Sequence, residues 1–116
     1  MDIFVNDHIE QLFREDINHA ATVALRDLSS QHEDNIANYD CQIDVVEDAC
    51  CIVMDKINEW YSEDQNDILR LHLIEYAALL FSGLMDAVDI IPEEIHTPAR
   101  FSDYCVLVIL NISKSL

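Results

Sequence analysis

"DVVEDACCIVMDKINEWYSED", residues 44–64, decides how the chain folds. At about 100° per residue, Asp44, Asp48, Asp55 and Glu59 fall within about 60° of one another on a helix. Val46, Ala49, Cys50, Val53, Ile57 and Trp60 gather on the opposite side. This is the three-and-four spacing of an amphipathic helix, apolar toward a core and acidic toward water. The stretch also carries Glu47, Glu63 and Asp64, yet its only base is Lys56. A surface helix ordinarily balances its acids with Lys or Arg, so a face this one-sided implies a partner. The helix is expected from about Cys41 to Tyr61, with Asp40 as N-cap.

Outward from that helix, further helices follow. Toward the N-terminus, Ile9, Leu12, Phe13, Ile17, Ala20, Ala24 and Leu28 recur at helical spacing, predicting a first helix from about Asn6 to Ser29. "SSQHEDNIANYD" (29–40) is polar and aperiodic and reads as a loop with a short turn around Ile36. Toward the C-terminus, Ser62-Glu63-Asp64-Gln65 fits a capping box, so a third helix is expected from Glu63 to about Ala87. Its segment "ILRLHLIEYAALLFSGLMDAV" (68–88) is apolar on nearly every side and is expected to be surrounded by its neighbours. It is long enough to span a bilayer, but Arg70, His72, Glu75 and Asp86 interrupt it, and each is costly in lipid. Gly83 inside it marks a close helix crossing or a helix end.

Pro92 with Glu93 and Glu94 suggests a short helical turn. Thr97-Pro98 reads as the N-cap and first position of a last helix reaching about Ile112. Within it, "YCVLVIL" (104–110) would also suit a buried strand, but nothing else in the chain supplies a second one. The expectation is an all-α, single-domain bundle of about four main helices with a short extra turn and a strongly apolar central helix.

The 116 residues can bury roughly two-thirds of their unfolded surface, enough for one core. With 51% hydrophobic residues the chain is not a disordered acidic tail. It carries 23 acids against 6 bases, a formal charge of −17. That argues against direct binding to nucleic acid or to an anionic membrane, both of which need Lys and Arg. It suits a basic partner, or an acidic surface that only keeps the protein dispersed or adapts it to high salt. "MDIFVNDHIEQ" has no secretory features, so a cytoplasmic location is expected. Cys41, Cys50, Cys51 and Cys105 show no metal or redox spacing and read as reduced thiols, with a bridge from Cys105 to one of the others left open.

A catalytic reading has little to stand on. There is no phosphate loop, nucleophile elbow or H-E-x-x-H motif, and nothing brings Cys105 to His72 or His96. Glu93-Glu94-Ile95-His96 holds one Glu-x-x-His, whereas a di-iron bundle needs two with two further Glu. No enzyme, cofactor or metal site is expected. His72 and Glu75, with Arg70, read as a buried ion-pair network on the third helix, with a lined pocket as the alternative.

The acids remain. Between Glu33 and Asp67 lie eleven of them, with Lys56 the sole base. Candidate partner-binding residues are Asp44, Glu47, Asp48, Asp55 and Glu59, extended by Glu63, Asp64 and Asp67. Electrostatics speeds encounter, but tight binding also needs a desolvated anchor. Trp60 and Tyr61 are the anchor candidates, with Tyr39 in the loop, although the phase of Trp60 favours the core. The span Asp44–Glu59 covers about 22 Å of helix. That length of DNA duplex carries about 13 charges, so one helix alone is too sparse to copy it.

In size, acidity and helical build the chain resembles the phage-encoded nucleic-acid-mimic inhibitors of the anti-restriction and anti-CRISPR type. The resemblance lies in whole-chain composition and transfers no residue. It implies a protein that occupies the nucleic-acid-binding groove of a bacterial defence nuclease, CRISPR effector, restriction enzyme or polymerase, inside the host cell, in some cases as a dimer. Here the charge opposes self-association, while the apolar last two helices invite it. Two alternatives stay open: an immunity protein neutralising a cognate nuclease toxin, and a general acidic interaction adaptor.

Overall fold

Four helices account for the fold: α1 (Asp7–Gln31), α2 (Tyr39–Trp60), α3 (Asp67–Asp89) and α4 (Pro98–Ser115). The structure is a computed structural model that describes residues 7–60, 67–92, 95 and 97–116. Expectations resting on Asn6, on the Ser62–Gln65 capping box and on Glu93, Glu94 and His96 lie outside the described residues, as do the side chains of Ile9 and Asp67.

The helices run alternately up and down. Arg14 Nη1 donates to the Leu116 carbonyl at 3.1 Å, and Arg26 Nη1 meets Asp103 Oδ1 at 3.0 Å, so α1 and α4 are antiparallel. Tyr104 Oη donates to the Ala87 carbonyl at 2.9 Å and Tyr76 meets Ser113, which together set α4 antiparallel to α3. α1 and α3 touch each other and both touch α2 and α4, but among the described residues α2 and α4 do not meet. The cross-section is therefore a rhombus with α2 and α4 at its far corners. The molecule measures 50 × 25 × 17 Å.

Ile17, Ala21, Leu25, Val46, Ala49, Val53, Leu73, Leu80, Leu84, Phe101 and Ile109 are among the residues of one buried hydrophobic cluster. At its edge three polar side chains close a ring. Tyr76 Oη donates to Asn18 Oδ1 at 2.7 Å, and Asn18 Nδ2 donates to Ser113 Oγ at 3.1 Å. Tyr76 Oη and Ser113 Oγ are 2.8 Å apart, so the Ser hydroxyl is the donor left to close the ring. α1, α3 and α4 are thereby tied at one point. The Arg14 guanidinium stacks 4.7 Å above the Tyr76 ring.

Several expectations hold in detail. Residues 104–110 are helical. Thr97 caps α4, its side chain accepting from the Arg100 N–H at 3.2 Å, with Pro98 in the first turn. Gly83 is a close crossing, because a Cβ there would run into the Ile112 side chain of α4. The Ile95 N–H donates to the Pro92 carbonyl at 3.1 Å. The loop turn holds Ile36, which is fully buried. All four cysteines are free thiols.

Others are corrected. Asp40 does not cap α2. Asn38 does, its Oδ1 accepting from the N–H groups of Asp40 and Cys41 at 2.8 and 3.3 Å. Asn38 stands one residue ahead of the first helical turn, where a side-chain oxygen reaches those donors, and Asp40 already lies inside the helix. Nor is α3 surrounded. Ile68 and Leu71 are 62% and 58% exposed. They share an outward arc of α3 with His72, Glu75, Leu79, Ser82 and Asp86, all exposed. Among the described residues no further helix covers this side, and its polar residues face solvent. His72 and Glu75 thus sit on the surface and not in a buried network; they line a shallow pocket with Arg14, Tyr76, Leu79 and Leu116, the alternative reading. α3 remains the one helix described that is long and apolar enough to cross a membrane by length and composition.

Candidate protein-docking face

The Asn38 cap sets where α2 starts and so sets its phase. Gln42, itself buried, donates from Nε2 to the Ile36 carbonyl at 2.9 Å and locks the α1–α2 connection onto that start. Val45, Val46, Ala49, Val53 and Ile57 then face the core. Asp44, Glu47, Asp48, Asp55 and Glu59 are all exposed, on a helix at a corner of the rhombus where no other helix covers them. Among the described residues none of these five carboxylates is hydrogen-bonded or ion-paired; the ion pair seen there is Arg26–Asp103, on the far side of α1.

This arrangement opposes helix stability. Asp40–Asp44, Asp44–Asp48 and Asp55–Glu59 are like charges four residues apart, each costing about 0.2–0.5 kcal/mol. Glu59 lies beside the negative end of the helix dipole, and the last turn of α2 has no base. A helix selected for stability alone would place Lys or Arg there.

Beside the stripe runs a groove between α1 and α2 with a volume of about 810 Å³. Ala20, Val23, Ala24, Leu28, Ile52 and Trp60 give it an apolar lining, and Asp16, His19, Asp27, Gln31 and Lys56 provide its polar groups. Val23, Ile52 and Trp60 are 44%, 37% and 43% exposed. Trp60 therefore does not enter the core as its phase suggests. It ends α2 one turn beyond Ile57, where it lines the groove together with the short Ala20 side chain of α1.

Of the groove residues, sequence reading alone singles out Trp60. Val23 and Ile52 escape notice because each sits at the edge of an apolar helix face, next to acids. The available signal was Ala20 and Ala24, small residues one turn apart on α1 that leave room above them.

The other anchor candidates fare differently. Tyr39 is the first residue of α2, not a loop residue, and its hydroxyl donates to Asp89 at the end of α3. That bond, with the Asp89 charge, raises the Tyr39 pKa above the usual phenol value of 10.0. Tyr39 is a tie between helices. Tyr61, Glu63, Asp64 and the Asp67 side chain lie outside the described residues.

The remaining chemistry is sparse. Among the described residues no three His, Cys, Asp or Glu side chains gather as a metal site. Burial raises the Cys41 and Cys50 thiols, and pushes that of Cys105 up to about 12. A buried thiol held protonated is a poor nucleophile. His72 lies on the exposed arc of α3, while Cys105 is fully buried.

No family model, curated protein or solved structure matches the chain.

Proposed function

We propose that this protein is an inhibitor that lays its α2 corner on the basic nucleic-acid-binding surface of a bacterial defence or nucleic-acid-processing protein and blocks it. It works by occupancy, not by catalysis. The observation that carries this reading is the exposed, unpaired line Asp44, Asp48, Asp55 and Glu59, held on α2 against helix stability. A partner surface that grips phosphates offers the Lys and Arg this line lacks, and attraction between the two gives fast, salt-sensitive association.

The second acidic row strengthens the reading. Asp16 and Asp27 of α1 are exposed across the groove from the α2 line. Neighbouring helix axes lie about 8–10 Å apart, so the carboxylates form two rows with a gap between them, as phosphates do across a duplex groove. Six charges over about 22 Å are about half of what duplex DNA presents. Imitation is thus partial, and apolar contact has to supply the rest of the affinity. That requirement keeps a second reading in play, an immunity protein gripping one cognate nuclease toxin, because the Trp60 groove offers a specific anchor.

Immobilised protein exposed to nuclease-treated bacterial lysate tests the proposal. Retained proteins are expected to bind nucleic acid, to elute with rising salt and to be displaced by added duplex DNA or RNA. Retention of one partner indifferent to both salt and nucleic acid would favour the immunity reading. Retained proteins that neither bind nucleic acid nor yield to it would overturn both.

A further inference from the structure

The groove narrows what the partner must offer. We infer that it receives a basic amphipathic helix of the partner, with apolar side chains against Val23, Ile52 and Trp60 and flanking Lys or Arg against the two acidic rows; this rests on the reading of the α1–α2 face as the docking surface.

Three observations converge. The α1 lining runs from Asp16 to Gln31, about 22 Å at helical rise, the length of about four turns of a docked helix. Ala20 and Ala24 keep the floor low along that line, so a helix can settle between α1 and α2 with its side chains interlocked. The charge is arranged to match. Asp16 and Asp27 stand on one side, and on α2 Asp48, Asp55 and Glu59 adjoin Ile52 on the helix wheel. Against these five acids stands one base, Lys56, which is exposed at the groove.

The same charge decides against other occupants. A second copy of this chain would bring another −17 against these acidic rows. A nucleic acid strand would be repelled outright. A helix supplies spaced apolar anchors and flanking charge together, as peptides that lie in helix-lined grooves do.

Trp60 is the chain's only tryptophan and lines the groove, so its fluorescence reports occupancy directly. The probe is a Trp-free peptide of Lys and Leu, about 16 residues long, with Leu at helical spacing. Its control is a scrambled peptide of the same composition and charge. The helical peptide is expected to bind with a blue shift of Trp60 emission, and the scrambled one at least tenfold more weakly without the shift. In the double variant Val23→Glu, Ile52→Glu the surface gains two negative charges but loses its apolar anchors. Both positions are partly exposed, and Glu is the better helix former. Binding is expected to fall at least tenfold despite the added charge.

Equal binding of the scrambled peptide, or tighter binding by the double variant, would overturn the groove inference and leave the acidic-face reading standing. No binding of either peptide to the parent protein would overturn both.

Discussion

The two corners of the rhombus, α2 and α4, are built on opposite terms. α2 carries six acids and one base, while α4 carries one acid and two bases. The exposed acids of α2 are unpaired, whereas Asp103 of α4 pairs with Arg26. α4 is also tied in by polar contacts: Ser113 in the ring with Asn18 and Tyr76, Tyr104 on the Ala87 carbonyl, and the chain end on Arg14. α2 is held mainly by its apolar face, with polar ties near its start, at Gln42 and Tyr39. One corner serves the fold. The other is left free at some cost to it, and such a cost persists where the surface has another use.

Loss of packing or of polar ties at the α4 corner should therefore destabilise the fold, and loss of exposed acids at the α2 corner should stabilise it. The largest effect is expected at Phe101, fully buried on α4. Phe101→Ala should destabilise the protein by about 3–5 kcal/mol in urea or thermal unfolding; a loss under 1 kcal/mol would mean that α4 is not part of the core. Next, Tyr76→Phe removes the hydroxyl at the centre of the ring and should cost about 1–3 kcal/mol. Adding Asn18→Ala to it should then cost less than the sum of the two single changes, since both act on one network.

At the α2 corner the sign reverses. Asp55→Asn with Glu59→Gln should stabilise the fold by about 0.3–1 kcal/mol at low ionic strength. The gain should shrink in high salt, which screens exposed charge. Destabilisation instead would show that these carboxylates serve the fold and would erase the contrast.

The smallest effect concerns Tyr39 and pH. The folded protein holds this phenol protonated through its bond to Asp89, so the folded pKa lies above the unfolded one. The contribution is therefore fully present below about pH 10 and lost as pH rises through the folded pKa. Tyr39→Phe should be less stable than the parent at pH 8, and the gap should close at strongly alkaline pH. A gap that stays constant with pH would remove the hydroxyl bond as its cause.

How much of this was legible in the sequence follows from the range of the interactions. Local signals read well: the Thr97-Pro98 start of α4 and the apolar phase of α2 each depend on a few neighbouring residues, whereas the crossing at Gly83 is decided by Ile112 of α4. The α2 cap was misplaced by two residues because Asn38 and Asp40 are both capable caps, and only the backbone path from Ile36 decides between them. α3 misled through composition. An all-round apolar helix suggests full burial, but whether it is surrounded depends on how many other helices exist. Asn18, Tyr76 and Ser113 are 58 and 37 residues apart and belong to no pattern, so their ring was not legible at all. The acidic line was plain from the start. The groove beside it was not, because a groove is made by what two helices leave out.

Relocating the charge reversal tests the docking claim most directly. One variant carries Asp44→Lys, Asp48→Lys, Asp55→Lys and Glu59→Lys. Its control carries Glu33→Lys, Asp34→Lys, Glu75→Lys and Asp86→Lys, the same charge change at exposed sites away from the α2 line. Retention of nucleic-acid-binding proteins from lysate is measured for both and for the parent, with circular dichroism confirming that all three stay helical. Loss of retention in the α2 variant alone, by at least about 100-fold or roughly 3 kcal/mol, is the predicted result. Equal loss in both variants would reduce the binding to net charge, and undiminished retention by the α2 variant would contradict the account.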